Sequence, residues 1–221
     1  MIISSEYKFI FVRVAKTASS SILEENDSDY IRPEYRTSTH PAFFRISSQT
    51  KYGPIPDFVF ENFSTPEEFC ECHGLDDPNH IPLSVSKHYL APEDYNTYFK
   101  FGFVRNPFSR MLSAYRYACQ WSVTDSFKDW LLWLTEDHVL LNKYCNQLDY
   151  VAGCDFVGRL ENLQNDYDLI RDKVGLPRIE LPYKNTTKHK HYTEYYDEET
   201  KQIVAEKYAK DIEYFGYKFR A

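Results

Sequence analysis

Three things are scarce in this 221-residue chain, and each scarcity excludes a class of protein. There is no long hydrophobic run. The longest early one, from Phe9 to Val12, is too short for a signal-peptide core and far too short to span a bilayer. The expectation is a cytoplasmic protein with no membrane partner. Positive charge is in deficit: 26 Lys and Arg stand against 33 Asp and Glu, a formal charge of −7. A sequence-independent nucleic-acid binder needs the opposite sign, so no nucleic-acid partner is expected. The cysteines are few and odd in number: Cys70, Cys72, Cys119, Cys145 and Cys154. They do not read as a disulfide framework, and they fit a reducing compartment.

Aromatic residues are abundant, with 19 Tyr, 16 Phe and 3 Trp. That excludes a disordered chain. The length suits one domain, residues 1–221. Residues 8–14, 98–104 and 155–159 are rich in β-branched and aromatic side chains and predict strands. Helical spacing follows each of them. Phe108, Met111, Leu112, Tyr115 and Cys119 recur on one face after Pro107, and further helices are expected at 126–136, 161–174 and 197–215. Strands alternating with helices predict an α/β fold with a mostly parallel central sheet and helices on both faces. Residues 33–97 carry many prolines and small polar residues and predict loops with short helices, one near 66–72. This segment is assigned as the variable, substrate-facing part.

Two short constellations could carry chemistry. The first is Val14-Ala15-Lys16-Thr17-Ala18-Ser19-Ser20-Ser21, directly after a strand. Such a turn aims backbone N–H groups at one point and suits phosphate. It lacks the glycines of a Walker A loop, and an ordinary capped helix is the alternative. The second is Arg105-Asn106-Pro107-Phe108-Ser109-Arg110-Met111-Leu112-Ser113-Ala114-Tyr115. Arg105, Ser109 and Ser113 fall on one side, where a guanidinium fork and hydroxyls suit a phosphate monoester. An arginine paired with a local carboxylate is the alternative.

Taken together, in this order, the two resemble the PAPS-dependent sulfotransferases. Their first loop reads like P-K-T-G-G-T-S and their second like R-D-P-x-x-R-x-x-S-x-Y. Phe156-Val157-Gly158-Arg159-Leu160-Glu161-Asn162-Leu163 is similar to the family's F-V-G-R-x-E-x-L segment. Tyr195-Tyr196-Asp197 through Asp211 to Phe215-Gly216-Tyr217 is similar to its closing helix. The nearest branch is the carbohydrate-type, Golgi-like enzymes and their bacterial relatives. The likeness covers 8–25 and 84–219 and hardly touches 33–83. Ala15 replaces the family proline, and Ala18-Ser19 replaces the glycine pair.

The resemblance implies a three-layer, P-loop-NTPase-like fold. It implies a sulfuryl donor, 3′-phosphoadenosine-5′-phosphosulfate (PAPS), and the product 3′-phosphoadenosine-5′-phosphate (PAP). Lys16 would neutralise the leaving oxygen, with Thr17, Ala18, Ser19, Ser20 and Ser21 holding the 5′-phosphate. Arg105 and Ser113 would hold the 3′-phosphate, with Lys188 or Lys190 closing over it. His88 is the expected general base, since an unperturbed imidazole suits proton removal at neutral pH; Glu61 and Asp94 are the fallbacks. Arg159 and Glu161 have two readings, a place near the site or, more simply, an internal ion pair. No metal is expected, because Cys70-x-Cys72-His73 with His80 lacks the usual zinc spacing. The acceptor is expected to be a carbohydrate hydroxyl, with a small natural-product alcohol as the alternative. A P-loop kinase-like protein is a further alternative.

Overall fold

The computed structural model describes residues 1–19, 21–22, 46–50, 53–56, 62, 64–75, 77, 79–119, 126–135, 144–181 and 190–220. Strand β1 (Ile2–Ser4) turns back through residues 5–8 into β2 (Phe9–Val12). Lys8 takes a left-handed φ of 51°, and the Tyr7 N–H bonds the Ser4 hydroxyl at 3.2 Å. This pair is antiparallel, with Ile3 opposite Ile10. A turn this short cannot make the crossover that parallel strands need. The expected parallel sheet therefore carries one antiparallel edge strand.

A separate hairpin joins β3 (Ile46–Thr50) to β4 (Gly53–Pro56). Three short helices follow: α1 (Pro66–His73), α2 (Leu83–Ser86) and α3 (Pro92–Thr97). The first lies where the sequence placed it. Thr65 caps it by accepting from the Glu68 N–H, and Gly74 closes it at a φ of 63°.

Strand β5 (Phe99–Val104) runs parallel to β2, and β6 (Phe156–Arg159) runs parallel to β5. The sheet order is β1-β2-β5-β6. Between them lie α4 (Pro107–Cys119), α5 (Phe127–Thr135) and α6 (Gln147–Val151). Helix α7 (Leu163–Val174) follows β6 through a short 3-10 turn.

The period-2 pattern of the strands sorts side chains onto two faces. Ile3, Ile10, Val12 and Val104 pack against Phe69 of α1, Leu83 of α2 and Val151 of α6. Ile2, Phe9, Phe11, Phe101 and Phe103 pack against Tyr167 and Ile170 of α7. Helices therefore cover both faces, and the sheet is the middle layer. Phe11 and Phe101 stack with ring centroids 4.9 Å apart. Among the described residues no helix is long and apolar enough to cross a membrane.

The long closing helix expected over 197–215 is two helices, α8 (Glu198–Lys207) and α9 (Ala209–Phe215). A reciprocal cap between Asp197 and Thr200 opens α8. The break falls at Tyr208, which is fully buried and ties its hydroxyl to the Tyr144 carbonyl at 2.7 Å. That anchor is tertiary, so helical periodicity alone does not reveal it.

Two glycines of the sheet leave room for close neighbours. A Cβ on Gly102 would stand 2.8 Å from Val151 Cγ1, and one on Gly158 would stand 2.4 Å from the Phe103 ring. Phe103 has no exposed surface and cannot swing outward. Gly158→Ala should therefore lower the unfolding free energy by about 1–3 kcal/mol, as overpacked cores do. The urea midpoint at unchanged m-value measures it. An unmoved midpoint would mean that the Phe103 ring shifts without cost.

Candidate active site at the ends of β2 and β5

The chain leaves β2 at Val12, buries Val14 and turns through residues 15–18 into a helix that opens at Ser19. The turn is held from within. The Thr17 hydroxyl donates to the Val14 carbonyl at 2.9 Å, and the Ile22 N–H reaches the Ala18 carbonyl at 3.2 Å. Thr17, Ser19 and Ser21 are buried. Ser20 lies outside the described residues. Lys16 and Ala18 adopt left-handed φ values of 68° and 67°. For an L-residue that conformation costs roughly 1–2 kcal/mol, and glycine escapes the cost. Ala18 thus holds a backbone shape that glycine would adopt without that cost.

The second loop is built around Arg105, one residue beyond β5. Asn106 caps α4, accepting from the Phe108 N–H at 3.0 Å while its carbonyl accepts from the Arg110 N–H at 2.9 Å. The Asn106 amide also donates to the Lys218 carbonyl at 2.9 Å. The family's aspartate at this position has no N–H to make that bond. Fully buried Gln147 grips the Arg105 backbone at two points, accepting its N–H and donating to its carbonyl, both at 2.8 Å. Asp211, also fully buried, fixes Gln147 in turn by accepting its backbone and side-chain N–H groups at 2.8 and 3.1 Å.

The Arg105 guanidinium is aimed by this clamp. Its Nε donates to the Ser109 hydroxyl at 2.8 Å, and its Nη1 faces the Lys16 carbonyl at 3.5 Å. The two loops, 89 residues apart in sequence, therefore meet. Beneath them Arg110, with no exposed surface, donates to the Ala15 carbonyl at 3.1 Å and the Cys145 carbonyl at 2.8 Å. Burial pushes Arg105 down to about 10, against the opposing pull of the Glu161 charge. Arg105 forms no ion pair with any described carboxylate.

The chain's last turn seals this loop. Glu161 accepts from the Asn106 N–H at 2.7 Å and from the Tyr217 hydroxyl at 3.3 Å. Arg159 donates to the Phe215 carbonyl at 2.7 Å and lies 5.1 Å from the Tyr217 ring centroid. Arg159 and Glu161 are thus not an ion pair with each other; both meet Tyr217, and Glu161 lies against the Arg105 loop, the other of the two sequence readings. Tyr196 adds its hydroxyl to the Phe108 carbonyl at 2.8 Å.

Ser113 sits partly exposed on α4, one turn beyond Ser109. Lys190 is exposed and lies 3.5 Å from Glu194, and Lys188 falls outside the described residues. His88 is exposed on the turn after α2. Its neighbour Lys87 lies over the ring of Tyr95, which precedes the start of β5. No described contact joins His88 to Lys16 or Arg105. Of the fallbacks, Asp94 lies in α3 and Glu61 falls outside the described residues. No group of three His, Cys, Asp or Glu side chains among the described residues could hold a metal ion.

A different histidine stands beside the first loop. His80 Nδ1 lies 3.0 Å from the Arg13 carbonyl. A carbonyl only accepts, so Nδ1 carries the proton and Nε2 the lone pair. Burial, with the Arg13 charge second, lowers His80 to about 3. Arg13 is itself buried and pushed down to about 10, bonded through Nη1 to Asn79 at 3.3 Å. Nothing local in the sequence marks His80, because its partner is 67 residues away.

Two outcomes follow from this geometry. Ala18→Gly should raise the unfolding free energy by about 1 kcal/mol, since the left-handed strain outweighs the added chain entropy. A lower urea midpoint would contradict it. His80 binds a proton near 6.5 when unfolded but only near 3 when folded. Its contribution to stability is therefore complete above pH 6.5 and is lost as the pH falls toward 3. Denaturation at pH 7.5, 6 and 5 should show this slope, and His80→Asn should flatten it. Equal slopes would exclude a buried neutral His80.

Searches of curated proteins and of solved structures each returned no match. The model of the Sulfotransferase family matches residues 1–218. That span takes in both loops, the Arg159–Glu161 segment and the closing turn, and the chain belongs to the sulfotransferase family.

Proposed function

We propose that this transferase moves a sulfuryl group from PAPS to an acceptor hydroxyl, with a carbohydrate as acceptor. The observation that carries the reading is Arg105. A half-buried guanidinium without a carboxylate partner among the described residues faces the backbone of a lysine-bearing loop. Such a cation calls for an anion, and the two loops together suit a nucleotide bearing phosphate at both ends. The sheet, covered on both faces with the loop after its second strand, suits a P-loop-NTPase-like arrangement. The carbohydrate rests on the branch that the motifs resemble.

The donor supplies the sulfuryl group, whose bond to the 5′-phosphate oxygen breaks as one to the acceptor oxygen forms. Arg105 and Ser113 hold the 3′-phosphate in this reading. The loop from Thr17 to Ser21 holds the 5′-phosphate with N–H and hydroxyl groups. Lys16 neutralises the charge that develops on the leaving oxygen, where electrostatic stabilisation counts most. Lys188 or Lys190 contacts the 3′-phosphate in the same reading. The positive field of Lys16 and the loop does this work without a metal ion.

The base is a histidine, and two compete. His88 carries the sequence argument. His80 carries a structural one: its Nδ1–H is tied to the Arg13 carbonyl, which leaves a lone pair on Nε2. Its proton affinity is low in the ligand-free protein. A polyanion bound nearby would raise it, because negative charge favours the protonated imidazole.

Calorimetric titration with PAP tests the donor site. PAP should bind and AMP should not, and Arg105→Ala should weaken PAP about 10–100-fold, the worth of one or two charged hydrogen bonds. A preference for ATP with magnesium would sink the reading in favour of a kinase-like protein. An acceptor screen then separates the histidines. Alanine at the true base should lower turnover about 10²–10⁴-fold with PAP binding kept, and alanine at the other should not.

A further inference from the structure

We propose that Tyr117 is a positioning residue for Lys16, its ring holding the lysine ammonium at the end of the site remote from Arg105. This rests on the role of Lys16 given above.

Helix α4 lies along the first loop and presents one face to it. Arg110 reaches the Ala15 carbonyl from that face. Ser113 comes one turn later, and Tyr117 one turn after that. Side chains three and four positions apart are neighbours on a helix, so these three form a row. The row runs away from Arg105, which precedes the helix. From Pro107 to Tyr117 the axis advances about 15 Å at 1.5 Å per residue.

Lys16 spans this row. Its carbonyl faces Arg105 Nη1, while its Nζ lies 4.3 Å from the centroid of the Tyr117 ring. The left-handed backbone at Lys16 fixes where the side chain starts, and the ring fixes where it ends. A lysine otherwise carries four rotatable bonds and about 2 kcal/mol of rotamer entropy. Tyr117 is 43% exposed, so its ring lies at the protein surface. A cation–π contact at such a site favours one lysine arrangement about two- to fivefold. The ring needs no hydroxyl for this, which separates a positioning role from a hydrogen-bonding one.

Two readouts test the proposal on the whole protein. In the ligand-free protein, the ε-methylene resonance of Lys16 should show a ring-current shift. Tyr117→Leu should abolish the shift and Tyr117→Phe should keep it. With PAPS as the probe and water as acceptor, one S–O bond breaks and another forms. Sulfate, PAP and a proton are released. Tyr117→Leu should slow this release two- to fivefold while PAP affinity stays within about threefold, and Tyr117→Phe should restore the rate. Wild-type turnover in Tyr117→Leu, or a Phe variant as slow as Leu, overturns the proposal. So does a missing shift in the wild type. Lys16→Ala with wild-type release, or no PAP binding at all, overturns the underlying reading of the site instead. The lysine resonance reports the contact independently of either.

Discussion

A guanidinium with no exposed surface, that of Arg110, joins the parts of this site. It extends from α4 to the Ala15 carbonyl in one loop and the Cys145 carbonyl ahead of α6. A buried charge is tolerated only where dipoles replace lost water. Here two carbonyls do so, with the Tyr208 ring 6.0 Å away. Removing the arginine would leave those carbonyls without this donor, at about 1–3 kcal/mol each. The neighbouring clamp works in series with it. Asp211 holds Gln147, and Gln147 holds the Arg105 backbone. The closing helices therefore fix a residue more than a hundred positions earlier.

That arrangement separates local field from net charge. The chain is acidic overall at −7, yet Arg13, Lys16, Arg105 and Arg110 gather at the ends of two strands. Arg13 and Arg105 are both pushed down to about 10 by burial. The departures from the family's glycines fit the same picture. Ala18 accepts a strained φ, and the surrounding bonds of Thr17 and Ile22 hold it there.

Much of the architecture was legible in the sequence. Aromatic and β-branched residues in 98–104 marked β5, and Pro107 with its apolar row marked α4. The helix expected at 161–174 is α7, which Gly175 ends at a φ of 76°. The antiparallel edge strand β1 was not read, because three residues carry too little pattern. The break at Tyr208 was hidden for a different reason: the residue is anchored by a hydroxyl bond to Tyr144, 64 residues away in sequence.

The sequence by itself determined the two loops and their residue types. Each is a local pattern, set by steric limits on the backbone and by spacing along one helix. Tertiary structure alone decided what those residues face. It brought Arg105 to the Lys16 carbonyl, His80 to the Arg13 carbonyl and Tyr117 to the Lys16 ammonium. It also separated Arg159 from Glu161, which stand two residues apart and bond to different segments. The physical reason is that spacing fixes only neighbours within a turn or a pleat. Partners across the sheet depend on register and packing, which no short stretch of the chain contains.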